Sequence, residues 1–199
     1  MSTERPSWRV VGPAERVVVP WANGGGTTAV VARVPDDDAW AWRLSLADVV
    51  EDGPFSSLPG VDRWIAVARG GRMELEVGDA PGAVRASLDP TADALEFSGD
   101  AATSCRVSDG PLVDVNLMLR RGVVTGTMSI VTLAAEDTVG LTDVQALVAL
   151  SGRVRVSVDD EHHELDGEVL DALIGTASAS LVVRAHAPTR VALVRVAPA

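Results

Sequence analysis

The sequence predicts an all-β protein built from two similar jelly-roll barrels with little helix, and three observations carry that expectation. Apolar residues alternate with period two in runs of about five to eight residues, separated by clusters of Gly, Pro, Asp and Ser. Helix-period patterns are scarce. A strand-forming unit also occurs twice: Val67-Ala68-Arg69-Gly70-Gly71-Arg72, followed by Met73 to Val77, reappears 81 residues on as Val148-Ala149-Leu150-Ser151-Gly152-Arg153, followed by Val154 to Val158. Farther along, Val113-Asp114-Val115-Asn116 aligns with Val191-Ala192-Leu193-Val194, 78 residues later, so the two copies slip by only three. Two such halves suit a double barrel, an architecture that hides sheet edges. The expected division is 1–122 for an N-terminal barrel and 123–199 for a C-terminal one, packed as one unit.

Taken in order, Pro20-Trp21-Ala22-Asn23-Gly24-Gly25-Gly26-Thr27-Thr28 comes first, with three successive glycines. They serve either a sharp strand connection or a close backbone approach to a ligand. A phosphate-binding loop is excluded, because the G-x-G-x-x-G spacing fails and the chain has no Lys. In Trp40 to Ala47 the alternation sets Trp42, Leu44 and Leu46 against Arg43 and Ser45, so Arg43 shares a face with a hydroxyl. Gly53-Pro54-Phe55-Ser56 and Pro59-Gly60-Val61-Asp62-Arg63 read as a turn-rich loop, either a plain connection or a stiffened segment that holds Arg63 at a site. Leu112 to Leu119 reads as a strand with Val113, Val115, Leu117 and Leu119 on one face and Asp114, Asn116 and Met118 on the other. That polar face is either wet or turned into a barrel lumen. Ala134 to Val148 is expected to contain one short helix, capped by Thr142 or Asp143. Val154 to Val158 and Val191 to Val196 complete the strands.

Composition narrows the chemistry. The chain has 199 residues, a net charge of −11 and 17 basic residues, all of them Arg; Tyr is absent as well. Schiff-base, P-loop and Ser-Lys chemistries are therefore excluded, and acidity argues against nucleic-acid binding. Arginine, a planar fork suited to carboxylates, is left as the anion binder. The single cysteine, Cys105, rules out an internal disulfide framework and reads as buried and inert. With no signal-like start and no apolar run near 20 residues, a soluble cytoplasmic protein without a membrane role is expected. All three histidines, His162, His163 and His186, lie in the second half. No metal, cofactor or nucleophile arrangement is expected, and no catalytic residue is assigned. Long β-edges such as Thr127 to Leu133 permit a homodimer.

The motifs Pro20 to Thr28, Trp42 to Ala47, Gly53 to Ser56, Pro59 to Arg63, Phe97-Ser98-Gly99-Asp100 and Asp114-Val115-Asn116-Leu117-Met118 with Arg120-Arg121 closely resemble those of the HutD/Ves family. The resemblance implies a bicupin, a double cupin-like jelly-roll barrel, without the usual cupin metal ligands. It also implies a regulatory role beside histidine utilisation and a small anionic metabolite as partner. Asn23, Arg43, Ser45, Arg63, Asp114 and Asn116 sit inside its motifs and become the pocket candidates. Two departures matter: Ala22 stands where Lys is usual in the family, and Val115 where Phe is common, so ligand identity does not carry over.

The resulting expectation is a metal-independent protein that binds a small carboxylate and regulates or buffers amino-acid catabolism. Arg43 and Arg63 would pair with the carboxylate, Asn23, Ser45 and Asn116 would supply orienting hydrogen bonds, and Asp114 would orient an arginine or accept from a ligand N–H. The alternative is a cupin-type isomerase or hydrolase acting on a small carboxylate, with Asp114 as general base.

Overall fold

The structure, a computed structural model, describes residues 7–21, 25–79 and 81–199, so the pocket candidate Asn23 lies outside the described residues. The first strand, β1 (Trp8–Val11), is followed by a single 3₁₀ turn at Pro13–Glu15. Then come β2 (Val17–Pro20), β3 (Gly26–Val34), β4 (Trp42–Val49), β5 (Gly53–Pro54), β6 (Val61–Val77), β7 (Val84–Leu88), β8 (Leu95–Ser98) and β9 (Thr103–Arg120). The chain continues through β10 (Val124–Leu133), β11 (Thr138–Ser151), β12 (Arg153–Val158), β13 (Glu161–Asp166), β14 (Ala172–Ala185) and β15 (Thr189–Pro198). All described strand pairings are antiparallel, so the fold is the all-β one that alternation demands.

Two units each build one sheet. Residues 17–125 form an eight-stranded sheet in the order β2-β3-β4-β9-β6-β7, with β5 on β9 and β8 on β6. Ser7–Arg16, together with Gly126–Ala197, contribute to a seven-stranded sheet in the order β10-β15-β11-β14-β12-β13, with β1 on β14. The division expected at 122/123 put the first segment in the N-terminal barrel. Instead β1 hydrogen-bonds β14, Trp8 facing Gly175, an affinity that a local reading of the sequence does not see.

The sequence repeat is a repeat of pairing. In one sheet Val67 faces Asp114 and Ile65 faces Asn116; in the other Val148 faces Ala192 and Ala146 faces Val194. Each copy has a left-handed glycine at this turn, one residue apart in the alignment, with Gly70 at φ +95° and Gly152 at φ +63°. A Cβ at Gly152 would lie 2.3 Å from Thr189 Oγ1, and one at Gly70 would lie 2.4 Å from the Pro111 carbonyl oxygen, so glycine is required at both bends.

Two local expectations are corrected. Ala134 to Val148 holds no helix: it leaves β10, turns at Glu136 (φ 65°) and runs into β11. Val144 to Leu150 is buried on both faces of a central strand, which erases period-two alternation and leaves an apolar run that mimics a helix. Asp143, read as a cap, sits at φ 57° in a break of the β11–β14 register. Likewise, the segment from Gly53 to Arg63 is not one loop. Gly53–Pro54 pairs with β9, and Arg63 is the third residue of β6, paired with Phe97 and Met118.

The two interiors differ in chemistry. The second unit is filled with hydrocarbon around Leu147, Val154, Val156, Leu173 and Leu193. The first has a comparable floor of Ile65, Val67, Met73, Leu75 and Leu112, but on the same face of the sheet that floor gives way to polar residues.

Candidate functional site

Three adjacent strands place the polar groups. Because β9 is hydrogen-bonded to β4 on one side and β6 on the other, residues line up in rows: Arg43-Met118-Arg63, then Ser45-Asn116-Ile65, then Ala47-Asp114-Val67. All nine positions lie on one face, since side chains two apart on a strand point the same way. Strand spacing of about 4.8 Å sets the Arg43 and Arg63 Cα atoms roughly 10 Å apart, one to each side of Met118. Leu44, Leu46, Ala66, Val115 and Leu117 point the other way and are also buried, which fixes the register.

This face opens into a cavity of about 550 Å³ lined by Arg43, Ser45, Arg63, Asp114, Asn116 and Met118, with Trp21, Thr28, Phe55, Ser56 and Leu58 completing the wall. Five of the six predicted residues therefore meet in one place. Ser45, Arg63, Asp114 and Asn116 are buried, with 2%, 5%, 1% and 5% of their surface exposed. Four buried polar atoms here have no hydrogen-bond partner among the described residues: Arg43 Nε, Arg63 Nε, Asp114 Oδ1 and Asn116 Oδ1. Native proteins rarely leave such atoms unmatched, so these three strands carry an unusual amount of unmet buried polarity.

Aromatic rings hold the arginines where ion pairs do not. The Arg63 guanidinium carbon lies 4.8 Å from the Phe55 ring centre and 4.9 Å from that of Phe97, and the two rings are tilted 55° to each other. Arg43 lies 5.6 Å from the Trp40 ring centre and donates from Nη2 to the Met118 sulfur at 2.9 Å. Phe55 and Phe97 both lie within the family motifs, yet nothing local in the sequence marks them as contacts of Arg63. The strand pairing of Phe97 with Arg63 is the signal that sequence alone conceals. At the start of β6, Arg121 donates to Asp62, Asp100 and Ser98, and Asp100 accepts from the Gly60 N–H, pinning the turn that leads into Arg63.

Of the glycine segment, Gly26 is described in the sheet. A Cβ there would meet the Asp48 carbonyl oxygen at 2.1 Å and the Trp21 ring at 3.0 Å, so this glycine serves a close strand approach that seats Trp21 on the cavity wall. The Trp21 indole N–H donates to Thr28 Oγ1 at 2.8 Å.

Burial dominates the electrostatics. It pulls the Arg63 pKa down to about 10, against the attraction of Asp114 and with added repulsion from Arg43. Burial also pushes Asp114 up to about 7, opposed by Arg63 and reinforced by Asp48. Arg43 is lowered by burial and by Arg33. Cys105 is pushed up to about 12 by burial, Asp114 and Asp52, which makes it a poor nucleophile. In the second half, His162 and His163 occupy β13, where neighbouring side chains point to opposite faces, and His186 Nε2 lies 3.2 Å from Glu164. Among the described residues no three His, Cys, Asp or Glu side chains gather as metal ligands.

The HutD family profile matches residues 14–193, nearly the whole chain. This chain belongs to the HutD family. It is 38% identical over 102 residues to an uncharacterized 21.2 kDa protein in the hutC 3′ region of Pseudomonas putida, covering 50% of this chain and 52% of that protein. Protein Ves of Cronobacter sakazakii is 33% identical over 102 residues, 51% of this chain and 54% of that protein. The chain spans about half the length of these relatives. Among solved structures, the conserved protein of unknown function PA5104 from Pseudomonas aeruginosa PAO1 superposes with a TM-score of 0.82 at 30% identity, over 96% of this chain and 98% of that one. HutD from Pseudomonas fluorescens SBW25, in a formate condition, gives 0.74 at 27% identity, over 97% and 100%. An oxalate decarboxylase of Lactobacillus farciminis gives 0.65 at 8% identity, over 93% and 85%, a likeness of fold alone that makes the architecture cupin-like. No helix among the described residues is long and apolar enough to cross a membrane.

Proposed function

We propose that this HutD-family protein is a metal-independent receptor for a small carboxylate metabolite and that occupancy of the first unit regulates histidine or amino-acid catabolism. One observation carries the reading: Arg63, buried between two rings, and the half-buried Arg43 beside a third face a single cavity, and neither forms an ion pair with a carboxylate among the described residues. A ligand carboxylate supplies the missing acceptor for a fork-shaped donor. That one relative is described as lying in a hutC 3′ region supports the metabolic context of this reading.

Thermal-shift titration with urocanate, formylglutamate, glutamate and formate tests the binding. Stabilisation by at least one of them, lost in Arg43→Ala and Arg63→Ala proteins, is the expected result. A wild-type response that persists unchanged in both variants overturns the assignment.

Asp114 favours a second reading. A carboxyl group held near pH 7 inside a ligand-sized cavity has the acidity of a general base, so metal-free isomerisation or hydrolysis is the rival. Turnover of one of the same compounds, abolished in Asp114→Asn while binding remains, would favour the enzyme.

A further inference from the structure

The ring on which Arg43 rests, Trp40, belongs to the loop between β3 and β4 and not to the cavity wall. A second guanidinium meets the same ring, because the Arg120 carbon lies 5.1 Å from its centre. Arg120 follows Met118 by two residues at the end of β9, so it points to the same face, one step beyond the row that holds Arg43. Trp40 is thus clasped between two arginines, of which one faces the cavity and the other does not.

The loop that carries Trp40 is fastened from both sides. Arg33 pairs with Asp36 at 3.1 Å and with Asp38 at 3.6 Å, and Arg120 Nη2 donates to the Asp38 carbonyl oxygen at 3.3 Å. The Ala41 N–H donates to the Val34 carbonyl at 2.7 Å, and the Arg120 N–H donates to the Ala41 carbonyl at 2.8 Å. The tie therefore runs from β3 through the loop to β9.

Arg43 depends on such a support. Its cross-strand partner on β3 is Arg33, and Arg63 lies beyond Met118, so like charges stand on both sides of it. Burial and Arg33 both disfavour its charge. Among the described residues its contacts are the Trp40 ring and the Met118 sulfur, with no carboxylate. A flexible arginine placed there has bulk water as its alternative, and the electron-rich face of an indole is what opposes that escape.

We infer that Trp40 is a positioning residue for the anion site: clasped by Arg120, its ring holds the Arg43 guanidinium at the cavity, so the β3–β4 loop sets the affinity of the site from outside. The effect on binding rests on the carboxylate-receptor reading; the effect on Arg43 does not.

Two measurements on the full chain separate these effects. In nitrogen-15-labelled protein the side-chain Nε–H signals of Arg43 and Arg63, assigned with Arg43→Lys and Arg63→Lys, report how firmly each group is held. The heteronuclear NOE at Arg43 Nε is expected to fall to that of a free surface arginine in Trp40→Ala and to recover in Trp40→Phe, while Arg63, held by other rings, keeps its value. Isothermal titration with urocanate, formylglutamate, glutamate and formate should show roughly 3- to 30-fold weaker binding in Trp40→Ala, with recovery in Trp40→Phe. If circular dichroism shows that Trp40→Ala fails to fold, Trp40→Leu takes its place. An Arg43 signal that does not change overturns the inference, and so does an equal fall at Arg43 and Arg63, which marks a merely structural role. Affinity that stays at the wild-type value while Arg43 loosens also overturns it. Silence of all four anions on wild-type protein takes down the carboxylate reading instead, and the NOE then decides the positioning role by itself.

Discussion

Asp114 and Arg63 face one cavity from neighbouring hydrogen-bonded strands, yet they form no ion pair within 4 Å. Each is buried, each feels the other's charge, and each keeps a polar atom without a hydrogen-bond partner among the described residues. Burial without pairing is unfavourable for both groups, so the site is stabilised by its surroundings rather than by its own contacts.

Replacing Arg63 should therefore separate stability from binding. Methionine fits the slot between Phe55 and Phe97 without a charge to desolvate. Arg63→Met is expected to raise stability by about 1–3 kcal/mol in urea unfolding while abolishing the anion-dependent thermal shift.

Asp114 predicts a pH dependence of opposite sign to that of most carboxylates. Its pKa is raised from 3.8 to about 7 in the folded chain, so between those values the native state holds a proton that the unfolded state has released. Stability contributed by this group falls as pH rises from about 4 to about 7 and is level above that. Asp114→Asn should match wild type near pH 4 and exceed it by a few kcal/mol at pH 8, measured as unfolding midpoints across the range.

Cys105 is 3% exposed, and its thiol is pushed up to about 12. A disulfide reagent such as dithionitrobenzoate should leave it unlabelled in native protein at pH 8 and label it fully in denaturant. Rapid native labelling would contradict the packing around β9.

Gly26 should tolerate no side chain. Gly26→Ala drives a Cβ into the Asp48 carbonyl oxygen and the Trp21 ring, at an expected loss on the order of 2 kcal/mol or more. Because Trp21 lines the cavity, the same change should alter its fluorescence and weaken ligand binding in folded protein.

Much of this site is legible in the chain because it rests on period-two alternation. Arg43 with Ser45, and Asp114 with Asn116, are set on their face by strand geometry alone, and the repeat foretells which residues pair across the ladder. Arg63 shows the limit. Its neighbours Pro59 and Gly60 suggest a loop, yet pairing with Phe97, distant in sequence, makes it a strand residue under two rings. The mistaken helix before Val148 has a related cause. A strand covered on both faces loses the polar beat that announces a strand, and only the sheet order reveals why.

Ala192 and Val194 preserve, within the same molecule, a hydrocarbon rendering of the ladder that carries Asp114 and Asn116. One tandem copy has become an oily keel and its twin a charged vessel. Whatever folding free energy the vessel forgoes for its chemistry can be read by rewriting its rungs in the keel's alphabet.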